Sequence, residues 1–130
     1  MLAHVQHCLP AEACGLLGGR AGRCQVVLPV TNRLHSPIRY QMDPQEQVNA
    51  FYWLDDHNLD LLAIFHSHPT GPDRPSPTDL AEFAYPGTLT VICWPDASGW
   101  QVSAFAITPQ RVGIVPILAD DSNPTPPEGL

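Results

Sequence analysis

The chain has 130 residues, 44% of them hydrophobic and 15% charged, which fits one domain with a buried core and excludes a disordered chain or a coiled coil. Thirteen acidic residues against six basic ones give a net charge of −7, and all six bases are arginines. This balance excludes recognition of nucleic acid through a basic face.

The first predicted elements are a short helix and a β-hairpin. Apolar residues at helical spacing form the helix, which Pro10 ends. His4 and His7 lie one turn apart on this helix and are expected on a solvated face. Two apolar runs, residues 14–18 and 25–30, flank the glycine-rich sequence GRAGR, which predicts a hairpin.

A second helix and a central strand follow. A short strand is first expected through residues 38–42. Asp43 then has the properties of a helix N-cap, since proline follows it and Glu46 is the third residue after it, and this helix should end near residues 57–58. Residues 61–65 form a continuous apolar run, which is typical of a central strand covered on both faces.

A proline-rich loop precedes the last predicted elements. Four prolines fall within residues 69–77, and a helix starting at Ser76 should bury Leu80 and residues 83–84. Three further strands are expected at residues 89–94, 102–107 and 112–117.

These elements predict a single domain of the α/β class, α+β type, over residues 1–118. A mixed, largely antiparallel sheet is flanked by two principal helices and one short helix. Residues 119–130 carry three prolines and no apolar periodicity, so they are predicted to be a Pro-rich, disordered C-terminal tail.

The cysteines and the N-terminus predict a cytoplasmic protein without a membrane partner. Four cysteines occur without a CxxC pair, so a structural zinc ribbon is not expected. A hairpin turn centred near Ala21 would place Cys14 opposite Leu28 and away from Cys24, which favours free thiols over a disulfide. The N-terminus lacks the basic region of a signal peptide, and no apolar run approaches the ~20 residues that span a bilayer.

The most specific feature of the sequence is the set His66, His68 and Asp79. Alternate residues of an extended segment point the same way, so His-Ser-His at a strand end can aim two imidazoles at one ion. The ten residues before Asp79 are stiffened by prolines, which lowers the entropy lost in returning a carboxylate to that ion. Two histidines and one carboxylate leave a coordination position open, as in a site for one catalytic Zn²⁺ ion.

A capping box is the alternative explanation of Asp79. Residues 76–79, with the sequence SPTD, have the form of a helix start, and residues 43–46, DPQE, have the same form without histidines before them. The pattern alone therefore predicts a helix start. Its occurrence shortly after His-Ser-His favours a metal ligand.

The sequence around these residues resembles the JAMM (MPN-plus) zinc metalloprotease family, in its compact prokaryotic type. HSHP is followed by six residues and then SPTD, and an upstream glutamate lies in PAEACGLLGG. The resemblance extends over roughly residues 2–107. It implies the cytidine-deaminase-like architecture of that family, and it implies that His66, His68 and Asp79 bind zinc.

The resemblance also implies roles for Glu12 and Ser76. The family glutamate acts on the water that the zinc activates, and it corresponds to Glu12; the motif serine, which helps hold the tetrahedral intermediate, corresponds to Ser76. Without the resemblance, Glu12 would be interpreted as a solvated acid after the first helix, because the sequence alone cannot place it beside His66.

The function that the resemblance implies is hydrolysis by a zinc metallopeptidase or isopeptidase. Its substrate would be an amide bond at the C-terminus of a ubiquitin-like or sulfur-carrier protein adduct, with cysteine, a peptide or a lysine side chain as the leaving group. The chain has no long insertions beside the motif, which favours bacterial-type partners over a second ubiquitin. The alternatives are a catalytically silent MPN-type scaffold, which typically lacks a metal ligand, and a RadC-like domain, which the negative charge disfavours.

Overall fold

The computed structural model describes residues 1–119. From residue 120 onward the predicted tail lies outside the described residues, and the domain boundary at residue 118 stays a prediction. None of the helices within residues 1–119 is long and apolar enough to cross a membrane. In chain order the elements are α1 (Leu2–Cys8), β1 (Cys14–Arg20), β2 (Arg23–Val30), α2 (Pro44–Asp56), β3 (Asp60–Ser67), α3 (Pro77–Glu82), β4 (Leu89–Asp96), β5 (Gly99–Ile107) and β6 (Val112–Val115).

The strands form one six-stranded sheet with the order β2-β1-β3-β4-β5-β6. Neighbouring strands are antiparallel except β3 and β4, which run parallel and are connected through α3. The predicted mixed, largely antiparallel sheet is thus confirmed. β3 lies inside the sheet between β1 and β4, as its continuous apolar sequence predicted.

The β1–β2 hairpin closes through a two-residue turn. Ala21 and Gly22 both have positive φ, 51° and 74°, as in a type I′ turn, whose twist matches that of paired strands. The turn is centred between Ala21 and Gly22, one half-step beyond Ala21, and a bulge between residues 18 and 19 adds one further residue. Cys14 therefore pairs with Val30 and not with Leu28 as predicted. All four cysteines are free thiols, as expected.

Both faces of the sheet are covered, because successive strand residues alternate between two apolar clusters. Leu16 and Ile64 pack with Leu54 of α2 on one face. Leu17 and Phe65, which follow them in sequence, belong to a second cluster. The α1 helix packs on this second side. The sheet therefore lies between α1 and α2, with the core on both of its faces.

The predicted strand through residues 38–42 is wrong, because this segment belongs to a loop. The side-chain oxygen of Asn32 accepts hydrogen bonds from the backbone amides of Leu34 and Gln41, each at 3.1 Å. Amides that donate to a side chain are not available to a strand ladder, which explains the irregular backbone. Residues 33–41 are termed the bridging loop.

The α3 helix is shorter and more exposed than predicted. It spans Pro77–Glu82 only and has no buried residue; Leu80, which was predicted to be buried, is 40% exposed. Six residues make fewer than two turns, which is too short for an apolar stripe to form.

The predicted solvated position of His4 is also wrong. Its Nε2 lies 3.2 Å from the carbonyl oxygen of Cys14, and its ring meets the ring of Phe65 edge-on, with 6.2 Å between centroids. Burial lowers the pKa of His4, although hydrogen bonding to the backbone opposes this effect. His7, one turn further along α1, is exposed as predicted.

Candidate metal centre

Strand pairing brings Glu12 beside the histidines. Cys14 is the antiparallel partner of His66, so the segment before β1 runs next to the segment that follows His66. The Ala13 amide donates to Ser67 Oγ at 2.8 Å, and the Ser67 amide donates to the Ala13 carbonyl oxygen at 3.0 Å. These two hydrogen bonds join positions 54 residues apart and fix the chain directly after Glu12.

Three side-chain atoms converge at the carboxyl end of β3. His66 and His68 are two residues apart, and both are buried. Their Nε2 atoms lie 3.1 Å from each other, and Asp79 Oδ2 lies 3.0 Å from each of them. The structure therefore brings together the three residues that the sequence predicted as metal ligands.

The arrangement of these three atoms fits a metal ion. In a tetrahedral site with bonds of about 2.0–2.1 Å, ligand atoms are about 3.3 Å apart, close to the observed 3.0–3.1 Å. His68 Nδ1 lies 2.8 Å from the Pro72 carbonyl oxygen, which only accepts, so Nδ1 carries the proton of the neutral ring. His68 Nε2 then presents a lone pair to the carboxylate of Asp79, and a cation between them would stabilise this arrangement.

Asp79 is also part of a capping box, which confirms one of the two explanations offered by the sequence and is compatible with the other. Ser76 Oγ accepts from the Asp79 amide at 3.0 Å, and the Ser76 amide donates to Asp79 Oδ2 at 2.8 Å. Burial opposes ionisation of this carboxyl. The two imidazoles and the Ser76 amide outweigh burial and hold the pKa of Asp79 well below its usual range.

Glu12 adds a buried carboxyl group to the cluster. It is 3% exposed, and one of its oxygens lies within 4.8 Å of the ligand nitrogens of His66 and His68. Its Oε1 has no hydrogen-bond partner among the described residues. Burial raises the pKa of Glu12 to about 7; the charge of Asp79 adds to this rise and His68 opposes it. Such a carboxyl group accepts and releases a proton near neutral pH.

Three further residues at the site were missed by sequence reasoning. Ser67 carried a usable signal, because it lies between the two histidines and so faces the opposite side of the strand end. Tyr40 stacks on the ring of His66, with 4.6 Å between centroids, and Asn32 donates to the Glu12 carbonyl oxygen at 3.0 Å. Neither contact had a local signal, because the alternation around Tyr40 suggested only a strand and Asn32 lies outside the predicted elements.

A cavity of about 230 Å³ opens beside His66 and Asp79. An ion pair between Arg39 of the bridging loop and Glu82 of α3 joins those two segments next to it. Glu12 is not among the residues that line the cavity. The aromatic and larger apolar side chains of its wall are Tyr40, Met42, Ile64, Phe83 and Tyr85.

Comparisons with known proteins give a family and a fold. Residues 1–108 match the family described as prokaryotic homologs of the JAB domain. A desampylase from Pyrococcus furiosus is 42% identical over 69 residues, which are 53% of this chain and 49% of that protein. A CysO-cysteine peptidase from Mycobacterium tuberculosis is 37% identical over 82 residues, which are 62% of this chain and 56% of that protein. The chain thus spans about half the length of these curated relatives.

The fold has a solved counterpart. The solution structure of a protein from Desulfitobacterium hafniense superposes with a TM-score of 0.84 and 34% sequence identity. The superposition covers 94% of this chain and 87% of that one, so the two share the whole architecture of the domain.

Proposed function

The chain belongs to the family of prokaryotic homologs of the JAB domain, and on this basis we propose that it is a zinc metallopeptidase. Its substrate would be the amide bond at the C-terminus of a ubiquitin-like or sulfur-carrier protein adduct. One observation supports the proposal above all others: a buried carboxyl, that of Glu12, stands beside three converging ligand atoms.

The proposed metal ligands are His66, His68 and Asp79. Two imidazoles and one carboxylate are a donor set that zinc accepts, and three protein ligands leave the fourth position open for water and substrate. When bound, zinc lowers the pKa of water toward ~7 and polarises a carbonyl group. The chain's own residues must then orient the substrate and move the proton.

Glu12 is the proposed general base and acid. Its carboxyl group takes a proton from the attacking water and releases it to the nitrogen of the leaving amine. Burial raises its pKa to about 7, which suits both directions of transfer at neutral pH. General acid–base catalysis of this kind contributes about 10²–10⁴-fold to the rate.

Ser76 is proposed to stabilise the oxygen of the scissile carbonyl. Its Oγ already accepts a hydrogen bond from the Asp79 amide, so the hydroxyl proton remains available for donation. A donor aimed at the oxygen on which negative charge develops stabilises the transition state of amide hydrolysis.

The proposed substrate class follows from the relatives and from the cavity. The relatives are named desampylase and CysO-cysteine peptidase, and on that basis we infer a ubiquitin-like or sulfur-carrier protein as the substrate. Such proteins end in an extended tail, and strand addition in a groove is a general way to hold one. Because Glu12 must reach the leaving nitrogen and does not line the cavity, we place the acyl side of the tail in the cavity.

Cleavage of a panel of conjugates tests this proposal. Bacterial-type ubiquitin-like proteins would carry cysteine, a short peptide or a lysine-linked protein at the C-terminus. Zinc-loaded wild type should release the ubiquitin-like protein with a free C-terminal carboxylate, which intact-mass spectrometry detects. The chelated protein and His68→Ala should release none, because a metal ligand is absent, whereas the exposed control His7→Ala should behave as wild type.

Two results would overturn the proposed function. One is that wild type containing stoichiometric zinc cleaves none of the conjugates. The other is that the His68→Ala variant retains both stoichiometric zinc and full activity.

A further inference from the structure

Asn32 is a buried polar residue whose hydrogen-bonding groups are all used. It is 5% exposed. Its Oδ1 accepts from the amides of Leu34 and Gln41, and its Nδ2 donates to the carbonyl oxygens of Glu12 and Arg39, at 3.0 and 3.1 Å. A side-chain amide with two acceptor and two donor bonds has one orientation. It therefore fixes four backbone groups relative to one another.

Both polar groups of the Glu12 backbone form hydrogen bonds, one with the Asn32 side chain and the other with the bridging loop. Its carbonyl oxygen accepts from Asn32, and its N–H donates to the Ser36 carbonyl oxygen at 2.8 Å. The next residue, Ala13, donates to Ser67 between the histidines at 2.8 Å. Glu12 is therefore fixed between the loop on one side and the histidine strand on the other.

The Glu12 carboxyl group is held by fewer hydrogen bonds than the Glu12 backbone. Its Oε1 lacks a hydrogen-bond partner within residues 1–119, so its position relative to His66 and His68 depends on the backbone from which it extends. Proton transfer requires reacting atoms within hydrogen-bond reach. A misplacement of about 1 Å can lower a rate about 10²-fold.

We propose that Asn32 is a positioning residue of the site: its side-chain amide fixes the Glu12 backbone and thereby aims the Glu12 carboxyl at the histidine cluster. Asn32 does not touch the three converging atoms and acts only through Glu12. The inference rests on the proposed function, since it gives Asn32 a part in the same reaction.

A double-mutant cycle tests this role. The rate kcat on one cleaved conjugate is measured for wild type, Asn32→Ala, Glu12→Gln and the double variant, all at equal zinc content. Asn32→Ala should lower kcat about 10–10²-fold in the wild-type background. It should lower kcat less than about 2-fold in the Glu12→Gln background, because residues that act as a unit are not additive. An equal loss in both backgrounds would overturn the proposal.

Ser103→Ala is the matched control for a general loss of stability. It removes the oxygen that accepts the Trp94 indole N–H at 3.0 Å, in the β4–β5 pair and away from Glu12. Any effect of this change on kcat should be the same in both backgrounds.

Amide hydrogen exchange gives a readout that does not depend on turnover. In Asn32→Ala the Glu12 N–H, which donates to Ser36, should exchange faster, while the amides of β4 and β5 keep their protection. Unchanged protection at Glu12 would contradict the proposed role.

A second variant keeps the test valid if Asn32→Ala does not fold. Asn32→Asp has the same shape and retains an acceptor for the amides of Leu34 and Gln41, but it lacks the Nδ2 donors. Wild type that cleaves no conjugate refutes the proposed function and this inference with it, whereas active wild type with additive variants refutes only the inference.

Discussion

Asp79 serves a helix and a candidate metal site with one carboxylate. Its amide is capped by Ser76, while its Oδ2 accepts from the Ser76 amide and faces both imidazoles. A carboxylate oxygen has about two lone pairs, so Oδ2 can accept from the Ser76 amide with one and direct the other at an ion between the imidazoles. The sequence presented a capping box and a metal ligand as alternatives; the structure shows the capping box and leaves the same carboxylate facing both imidazoles, so the two roles are geometrically compatible.

His4 makes a prediction about the pH dependence of stability. Burial lowers its pKa in the folded protein. Above about pH 6.5 the ring is neutral in both states and adds no pH dependence. As the pH falls below that value, the unfolded chain takes up the proton first, so the free energy of unfolding decreases. His4→Gln should therefore lose less stability than wild type between about pH 7 and about pH 5.

Urea denaturation at the two pH values measures this difference. His7→Gln, an exposed position on the same helix, is the control and should lose as much stability as wild type. A loss in His4→Gln as large as in wild type would contradict the assignment of a half-buried His4 whose pKa burial lowers.

At the level of elements, the N-caps of α2 and α3 form a matched pair. Asp43 accepts from the Glu46 amide at 3.0 Å, and Ser76 accepts from the Asp79 amide at 3.0 Å. Replacing either cap by alanine should lower the free energy of unfolding by about 1 kcal/mol. Only Ser76→Ala should also lower kcat, by about 10²–10³-fold, because only its hydroxyl is proposed to stabilise the reacting carbonyl.

Urea denaturation, zinc content and kcat on the same conjugate distinguish the two cap variants. Zinc should remain bound in Ser76→Ala, because the Ser76 backbone amide still supports Asp79. If Asp43→Ala and Ser76→Ala lower kcat by the same factor, the proposed role of Ser76 is wrong.

Local chemistry decided which elements the sequence predicted well. The N-caps at Asp43 and Ser76, the turn at Ala21 and the apolar run of β3 are all readable within a few residues, and all are confirmed. Residues 38–42 were wrongly predicted as a strand because their alternating apolar residues suggested one, whereas the Gln41 amide donates to the Asn32 side chain. This hydrogen bond depends on the Asn32 side chain, which tertiary contacts bury, and a local sequence pattern does not reveal such contacts.

At the scale of the whole molecule, the site is assembled by strand pairing. Spacing alone predicted that His66, His68 and Asp79 meet, because the segment between them is short and stiff. The approach of Glu12 depends on the β1–β3 register, and was expected only from the family resemblance. The contacts of Tyr40 with His66 and of Asn32 with Glu12 depend on how the chain around the bridging loop folds back, which no local pattern indicates.

The net charge of −7 bears on partners more than on the fold. A negative charge of this size is the basis of the prediction that nucleic acid is not a partner. Three acidic residues lie in the site or line its cavity: Glu12, Asp79 and Glu82. Only Glu82 among them has an arginine partner in the described chain, Arg39.

The most direct test of the account compares Glu12→Gln with wild type on one conjugate. Glu46→Gln is the matched control, since Glu46 accepts hydrogen bonds from Thr31 that an amide oxygen can also accept. Zinc content and kcat/KM are measured for all three proteins. We expect stoichiometric zinc in each and a fall in kcat/KM of about 10²–10⁴-fold in Glu12→Gln alone. Zinc-loaded Glu12→Gln that cleaves the conjugate as fast as wild type would contradict the central claim.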